Sequence, residues 1–284
     1  YSRFDGTCNP ESPSHWFKKF LDSDADIYQQ AYTIYDNPFN PPTFVRELER
    51  EYRGTVYFER YIMGRWKSAD GAVYRCFADA PTRYLCDTGK WIADCKRDTK
   101  QSPLALATLG VDFGGNGSGH AFVCTGFTRG LHELVSLDEW YHKGEITPEK
   151  LEHAFVDFAA ACVERYGAHV CYADSAETTL IQGLRAACIR EHVPIEVRKA
   201  RKGAITDRIR FLCRMMAVDR YRIDPRCTHL RDALETAVWN SKHLDDVRLD
   251  DGTTNIDSLD ALEYSYEPYM ADMTALTAQK EHGR

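Results

Sequence analysis

Four aspartates stand where carboxylates could do chemistry: Asp112, Asp174, Asp257 and Asp260. Asp112 closes a mostly apolar run, Leu104 to Val111, that begins after Pro103. A glycine-rich turn (Gly114, Gly115, Gly117, Gly119) and a second apolar run, Ala121 to Phe127, follow it. Two short apolar runs across a Gly/Asn turn predict an antiparallel β-hairpin over 104–127, with Asp112 near the end of its first, buried strand. A carboxylate there is costly to desolvate unless a positive partner meets it, and either a metal ion or an arginine would serve. An Asp that merely helps to start a tight turn is the plainer alternative.

Asp174 ends another short apolar run within 169–175, where capping the next helix is its structural alternative. Asp257 and Asp260 lie three apart in a predicted helix and share a face; as structural residues they would be an N-cap and a solvated acid. Carboxylates clustered without His or Cys favour magnesium or manganese over zinc. Two such ions about 3.5–4 Å apart can activate a water and stabilise the leaving oxygen of a phosphodiester.

The elements that must position these acids follow from periodicity. The spacing predicts a helix entered near Ser12 to Ser14, a strand over 27–35, a break at 36–42, and an amphipathic helix from Thr43 to Arg53. An aromatic-rich stretch, Val56 to Trp66, comes next, and 75–103 reads as an irregular excursion into the hairpin. Beyond the hairpin come a strand (132–141), a helix opened by Thr147-Pro148 and closed at Gly167, a strand (169–175) and a helix (177–192). A strand (194–199), a helix (204–218), a short strand (220–223), a helix (230–239) and a last helix from Ile256 complete the series. This alternation predicts an α/β fold with helices on the faces of a sheet.

The 284 residues suffice for one large domain or two modest ones. No apolar run is long enough to span a membrane, and no signal peptide opens the chain. Ten scattered cysteines without Cys-x-x-Cys spacing predict reduced thiols, several of them packed in the core, and no structural zinc. The net charge of −7 argues against indiscriminate coating of nucleic acid. The charge is uneven, however: residues 197–222 carry nine Lys/Arg against two acids, and 224–284 carry thirteen acids against six Lys/Arg. A basic segment beside an acidic one suits a protein that grips a phosphate backbone and gathers metal; a solvated helix face beside an acidic tail would look the same.

Several linked motifs resemble the large terminase subunit of tailed bacteriophages, the DNA-packaging motor. GlyThrCysAsnProGluSerProSerHisTrp (6–16) is similar to the coupling motif late in the terminase ATPase domain, with Thr7 and Asn9 as its remnant. Residues 36–42, the helix after them and Tyr61 to Tyr74 resemble the segment joining ATPase to nuclease. ValAspPheGly (111–114), TyrAlaAspSerAlaGlu (172–177) and AspSerLeuAspAlaLeuGluTyr (257–264) resemble the three acidic motifs of the nuclease domain.

The resemblance implies an RNase H-like (RuvC-like) nuclease domain over 69–284, with a mixed central sheet flanked by helices. A truncated remnant of a P-loop ATPase domain and a linker would occupy 1–68. Asp112 matches the acid that bridges two Mg²⁺ or Mn²⁺ ions, and Asp174 and Asp260 match the other two acids. Asp257 falls where some members have histidine, as ligand or as shaper of the site. Lys202, in ArgLysGlyAlaIle (201–205), matches a phosphate contact, and DNA would lie along a basic face with Arg198, Lys199, Arg201 and Arg208.

The implied partners are double-stranded DNA, a small terminase subunit and a portal protein. No membrane is involved, and a ring would form only in the full-length motor. The implied place of action is the cytoplasm of the infected host, not the mature virion. No Gly-x-x-x-x-Gly-Lys-Ser/Thr loop occurs, so ATP hydrolysis by this chain alone is not expected. Exposed aromatics in 1–68 (Trp16, Phe17, Phe20) would favour aggregation. The alternatives are a junction- or hybrid-cutting nuclease with the same acids and a docking module without catalysis.

Overall fold

The computed structural model describes residues 5–281 except 12, 14, 68–70, 115–117, 241–245 and 251–254, and every structural statement below concerns the described residues. The predicted hairpin forms as β1 (Leu104–Asp112) and β2 (Gly119–Thr128), paired antiparallel with Asp112 opposite Ala121. The tip of its turn, with Gly115 and Gly117, lies outside the described residues. β3 (Leu134–Lys143) adds antiparallel to β2. β4 (Ala168–Ala173) joins β1 in parallel, β5 (Glu196–Lys199) joins β4 in parallel, and β6 (Tyr221–Ile223) joins β3 in parallel. The result is a mixed six-stranded sheet in the order β5-β4-β1-β2-β3-β6 within an α/β fold.

Helices cover both faces, so the strands alternate between two apolar layers. Ala107, Leu109 and Val111 of β1 and Cys171 and Ala173 of β4 face α5 (Pro148–Tyr166) and α6 (Thr178–Arg190). Thr147 caps α5 by accepting from the Lys150 N–H, and Gly167 ends it in the left-handed region at φ 71°. The opposite face meets α7 (Ile205–Ala217), α8 (Thr228–Thr236) and α9 (Asp257–Tyr266), followed by α10 (Met270–Glu281). All ten cysteines are free thiols and six are buried.

On its α9 side, β1 presents Thr108, Gly110 and then Asp112. Thr108 donates to the Ser265 carbonyl at 2.8 Å, and Thr125 of β2 bonds the Ser265 hydroxyl at 2.6 Å. Gly110 lets the two backbones touch: a methyl there would overlap the Ala261 carbonyl oxygen and crowd the Ser265 nitrogen at 2.9 Å. The substitution Gly110→Ala must therefore lift α9 off the sheet. It should cost about 1–3 kcal/mol or more, as overpacked cores do; an unchanged urea midpoint would refute this close approach.

Two expectations change upstream of the sheet, and a third falls partly outside the described residues. α1 spans Trp16–Leu21 and is capped by the His15 ring accepting from the Phe17 N–H; the expected caps Ser12 and Ser14 lie outside the described residues. Residues 27–33 form no strand and lead into a 3-10 turn, Ile34–Asp36, closed by Thr33 and Asp36. Tyr28 and Tyr32 alternate but find no partner strand and stay exposed. The stretch 75–103 is helical: α3 (Arg75–Asp79), a 3-10 turn (Pro81–Tyr84) and α4 (Thr88–Thr99). Its polarity misleads because α4 buries only Thr88 and Ile92.

α2 (Pro42–Tyr52) agrees with expectation, and Glu51 pairs with Arg214 of α7 at 2.5 Å. Arg210 of α7 lies over the Tyr57 and Tyr61 rings at 5.0 and 5.2 Å. Of the three aromatics expected to be exposed, Trp16 and Phe20 are, whereas Phe17 is half-buried. The domain boundary expected between residues 68 and 69 lies outside the described residues.

Candidate active site

Strand register brings Asp112 and Asp174 to one end of the sheet, and α9 brings Asp257 and Asp260 beside them. Val111 pairs with Ala173, and the Asp174 N–H donates to the Val111 carbonyl at 2.9 Å, so Asp112 and Asp174 end adjacent parallel strands. Asp112 shares the α9 face with Gly110, and Asp174 shares the parity of Tyr172, which packs against Tyr264 of α9. The Gly110 contact fixes α9 at Ala261; Asp260 directly precedes it and Asp257 lies one turn back.

The local electrostatics are those of an anionic cluster. Asp112 is buried, and its carboxyl is held well above the usual carboxylate range, by burial first and then by Asp260, Asp257 and Asp174; Lys202 opposes this. Asp257 accepts from the Gly119 N–H at 2.8 Å and so ties the hairpin to α9. Burial raises its carboxyl as well, against that hydrogen bond and with Asp260 and Asp250 adding to the rise. Two cations neutralise the other acids. Lys202 Nζ donates to Asp174 at 2.5 Å, and the Arg248 guanidinium donates to Asp260.

A buried carboxylate whose folded-state value is raised binds its proton more tightly folded than unfolded. Its contribution is favourable below the ordinary value of 3.8 and is lost as pH rises through the higher folded value. Without divalent ions, the stability of the wild type should therefore fall relative to Asp112→Asn as pH rises from 3.8 to neutrality. Denaturant midpoints of both proteins across that range test this; a constant gap would show that Asp112 carries no such penalty.

Hard oxygen donors with uncompensated negative charge suit Mg²⁺ or Mn²⁺. In the present arrangement Asp174 turns to Lys202 and Asp260 to Arg248. Among the described residues, no three His, Cys, Asp or Glu side chains are gathered closely enough to hold an ion. The donor chemistry fits a divalent cation, and an ion drawn to Asp174 would meet the Lys202 ammonium already paired with its Oδ1.

The basic face divides. Arg198, Lys199, Arg201 and Lys202 are exposed along the end of β5 and the loop after it, beside Asp174. Arg198 pairs with Glu196 at 2.5 Å and Lys199 donates to Thr178 at 3.3 Å. Arg208 does not belong to that face: it is 6% exposed, 3.5 Å from Glu263 and 5.4 Å from the Tyr264 ring centroid. It shares the buried stripe of α7 with Leu212 and Met216, a helical spacing that a count of charges overlooks. Thr7 and Asn9 are exposed.

Sequence reasoning missed three residues. Arg248 is 2% exposed, is held by Tyr74 and Glu263, and fixes Asp260; an arginine inside an acidic run was the available signal. Tyr264, four residues after Asp260, lies against the acids, and burial followed by Asp260, Asp112 and Asp174 raises its phenol. Glu267 accepts from two N–H groups of the 201–205 loop.

Residues 7–78 match the family model described as terminase large subunit, T4likevirus-type, N-terminal. The chain is similar in fold to the large terminase of a thermophilic bacteriophage: 21% identity, 92% of this chain and 61% of that one, TM-score 0.72. The same phage protein in complex with ATP-gamma-S matches over 90% of this chain and 60% of that one, at 20% identity and TM-score 0.70. The large terminase nuclease domain of bacteriophage SPP1 with bound Mn overlaps 58% of this chain and 87% of that one, at 23% identity and TM-score 0.44. The chain thus spans about 60% of the length of the thermophilic phage protein. No curated protein matches it. The resemblance to the large terminase subunit is therefore shown, in sequence over 7–78 and in fold over nearly the whole chain.

Proposed function

We propose that residues 69–284 are the RNase H-like endonuclease unit of a large terminase subunit, cutting concatemeric phage DNA, and that residues 1–68 connect it to a packaging ATPase. One observation carries this reading. Asp112, Asp174 and Asp260 reach one end of the sheet from three elements, in a chain whose fold follows a large terminase over 92% of its length. The strand plan supports the RNase H-like assignment: β1 to β3 run antiparallel in succession, and β4 and β5 extend the sheet in parallel on the far side of β1.

Asp112, Asp174 and Asp260 would hold two Mg²⁺ or Mn²⁺ ions, with Asp257 shaping the hairpin or adding a ligand. The ions, when bound, supply nucleophile activation and neutralise the charge that develops on the phosphodiester. The chain's own residues do the rest. Asp112 contributes a fixed, desolvated negative charge at the centre, and Arg248 holds Asp260 in place. Arg198, Lys199, Arg201 and Lys202 line an approach to Asp174 along which a DNA backbone can lie. Contacts of that kind position DNA without reading its sequence, so cutting would be largely sequence-independent. Among the described residues, no helix is long and apolar enough to cross a membrane. Double-stranded DNA, a small terminase subunit and a portal protein are the partners this role requires, in the cytoplasm of an infected bacterium.

Supercoiled plasmid incubated with the chain and Mn²⁺, Mg²⁺ or EDTA tests the reading. Nicking and linearisation with metal, abolished by EDTA, is the expected result. A folded, metal-loaded chain that leaves plasmid intact would favour a docking module.

A further inference from the structure

The two cations at the acidic cluster are not equivalent. The Arg248 side chain is 2% exposed and is fixed by Tyr74 and Glu263 as well as by Asp260. The Lys202 side chain is 36% exposed, and among the described residues Asp174 is the one carboxylate it pairs with. Its ammonium also lies 5.6 Å from the centroid of the Tyr264 ring. Arg248 is built in, whereas Lys202 can leave.

The backbone around Lys202 is nonetheless held. Lys202 adopts φ +53°, a left-handed conformation that a lysine takes up only when its surroundings impose it. Glu267 imposes it: Oε2 accepts from the Lys202 N–H at 3.0 Å and Oε1 from the Gly203 N–H at 2.6 Å. A methyl on Gly203 would come within 2.8 Å of Glu267 Oε1 and push that carboxylate from its place. Glu267 directly follows α9, the helix that carries Asp257 and Asp260. The anchor for the lysine loop and two of the acids therefore move as one piece, while the ammonium at the end of its flexible stem remains releasable.

We propose that Lys202 is a tethered counter-ion of the metal-free site. Set in place by Glu267, it occupies Asp174 until a divalent cation binds, and it is then free to meet a DNA phosphate. This rests on the function proposed above. The Lys202 ammonium and the Ala176 N–H both donate to Asp174 Oδ1, and a divalent ion on the same carboxylate would be repelled by the ammonium beside it, so the two cations compete for one negative charge. Glu267 is a positioning residue and touches neither metal nor DNA.

Calorimetric titration of the chain with Mn²⁺ alone, at neutral pH, separates the possibilities. The wild type should bind Mn²⁺, and Asp112→Asn should bind it much more weakly. Lys202→Met should bind Mn²⁺ about two- to fivefold more tightly, which is the worth of a partly exposed ion pair. Glu267→Gln should shift affinity in the same direction by less. With Ca²⁺ in place of Mn²⁺, Lys202→Met should bind duplex DNA with a salt slope smaller by about one. If Lys202→Met binds Mn²⁺ no more tightly than the wild type while Asp112→Asn loses it, the counter-ion role is overturned and the metal site stands. If Asp112→Asn binds like the wild type, the metal site itself fails and the counter-ion role fails with it. Circular dichroism of each variant establishes that it is folded; Lys202 is exposed, Glu267 half-buried and Asp112 buried.

Discussion

Asp112→Asn will remove metal-dependent cleavage while leaving the metal-free chain at least as stable as the wild type. Asparagine keeps the volume and one oxygen of aspartate but discards the charge. In the metal-free protein that charge is a liability, because the carboxyl is buried and faces Asp260, Asp257 and Asp174, with Lys202 opposing them. In the metal-loaded protein it would be the central ligand, reaching the site from the middle of the sheet between β4 and β2. Replacing a partner that merely orients a ligand commonly costs about 10–100-fold, so losing a direct, central ligand should cost more than ~100-fold in cleavage rate. Thermal denaturation adds an independent readout. Mg²⁺ or Mn²⁺ should raise the wild-type midpoint, because an ion that binds only the folded state stabilises it. The variant's midpoint should start higher and respond little. A variant that cuts plasmid within tenfold of the wild type would remove Asp112 from the reaction.

The acids were legible because strands betray themselves by period and by their ends. The run Leu104 to Val111 is bounded by Pro103 and the glycine turn, so Asp112 could be placed at a strand terminus without any partner. That Asp112 and Asp174 lie side by side follows from the parallel register of β1 and β4, a long-range fact carried by no local pattern. Gly110 carried a different long-range fact unread, the close approach of α9, since a glycine inside a buried strand marks a close backbone contact. α5 was legible for a different reason: its cap, its Pro148 and its terminal Gly167 are all local. The strand expected over 27–35 failed because alternation makes a strand only when a neighbouring strand supplies hydrogen bonds, and none does. α4 was hidden by the opposite error, its buried face being too narrow to show as a stripe. Arg208 and Arg248 were misread or missed because their partners, Glu263 and Asp260, are distant in sequence, so the sign of a charge said nothing about whether it was buried.

Arg248→Met should be the most destabilising single change at the site. Glu263 is fully buried and Arg248 nearly so; their contact is joined by Tyr74, whose hydroxyl donates to Glu263 at 3.0 Å and accepts from Arg248 at 3.0 Å. Methionine fills much of the space but leaves Glu263 with only Arg208, 3.5 Å away, as a counter-charge. Removing one partner of a buried ion pair costs about 3–5 kcal/mol, because the other charge stays desolvated. The pH dependence identifies the cause. Burial already raises the Glu263 carboxyl above its ordinary 4.5 despite Arg248, and without the arginine it must rise further. A raised carboxyl contributes most below 4.5 and loses that contribution as pH climbs, so the deficit of the variant should shrink in acid and be full at neutral pH. Adding Glu263→Gln should restore part of the loss, since both buried charges are then gone. If the double variant is as unstable as Arg248→Met, the loss lies in packing rather than charge. The same substitution frees Asp260 from its guanidinium partner, so a double variant that recovers stability without recovering Mn²⁺ affinity would show that Arg248 serves the site by fixing Asp260, apart from its part in holding the fold.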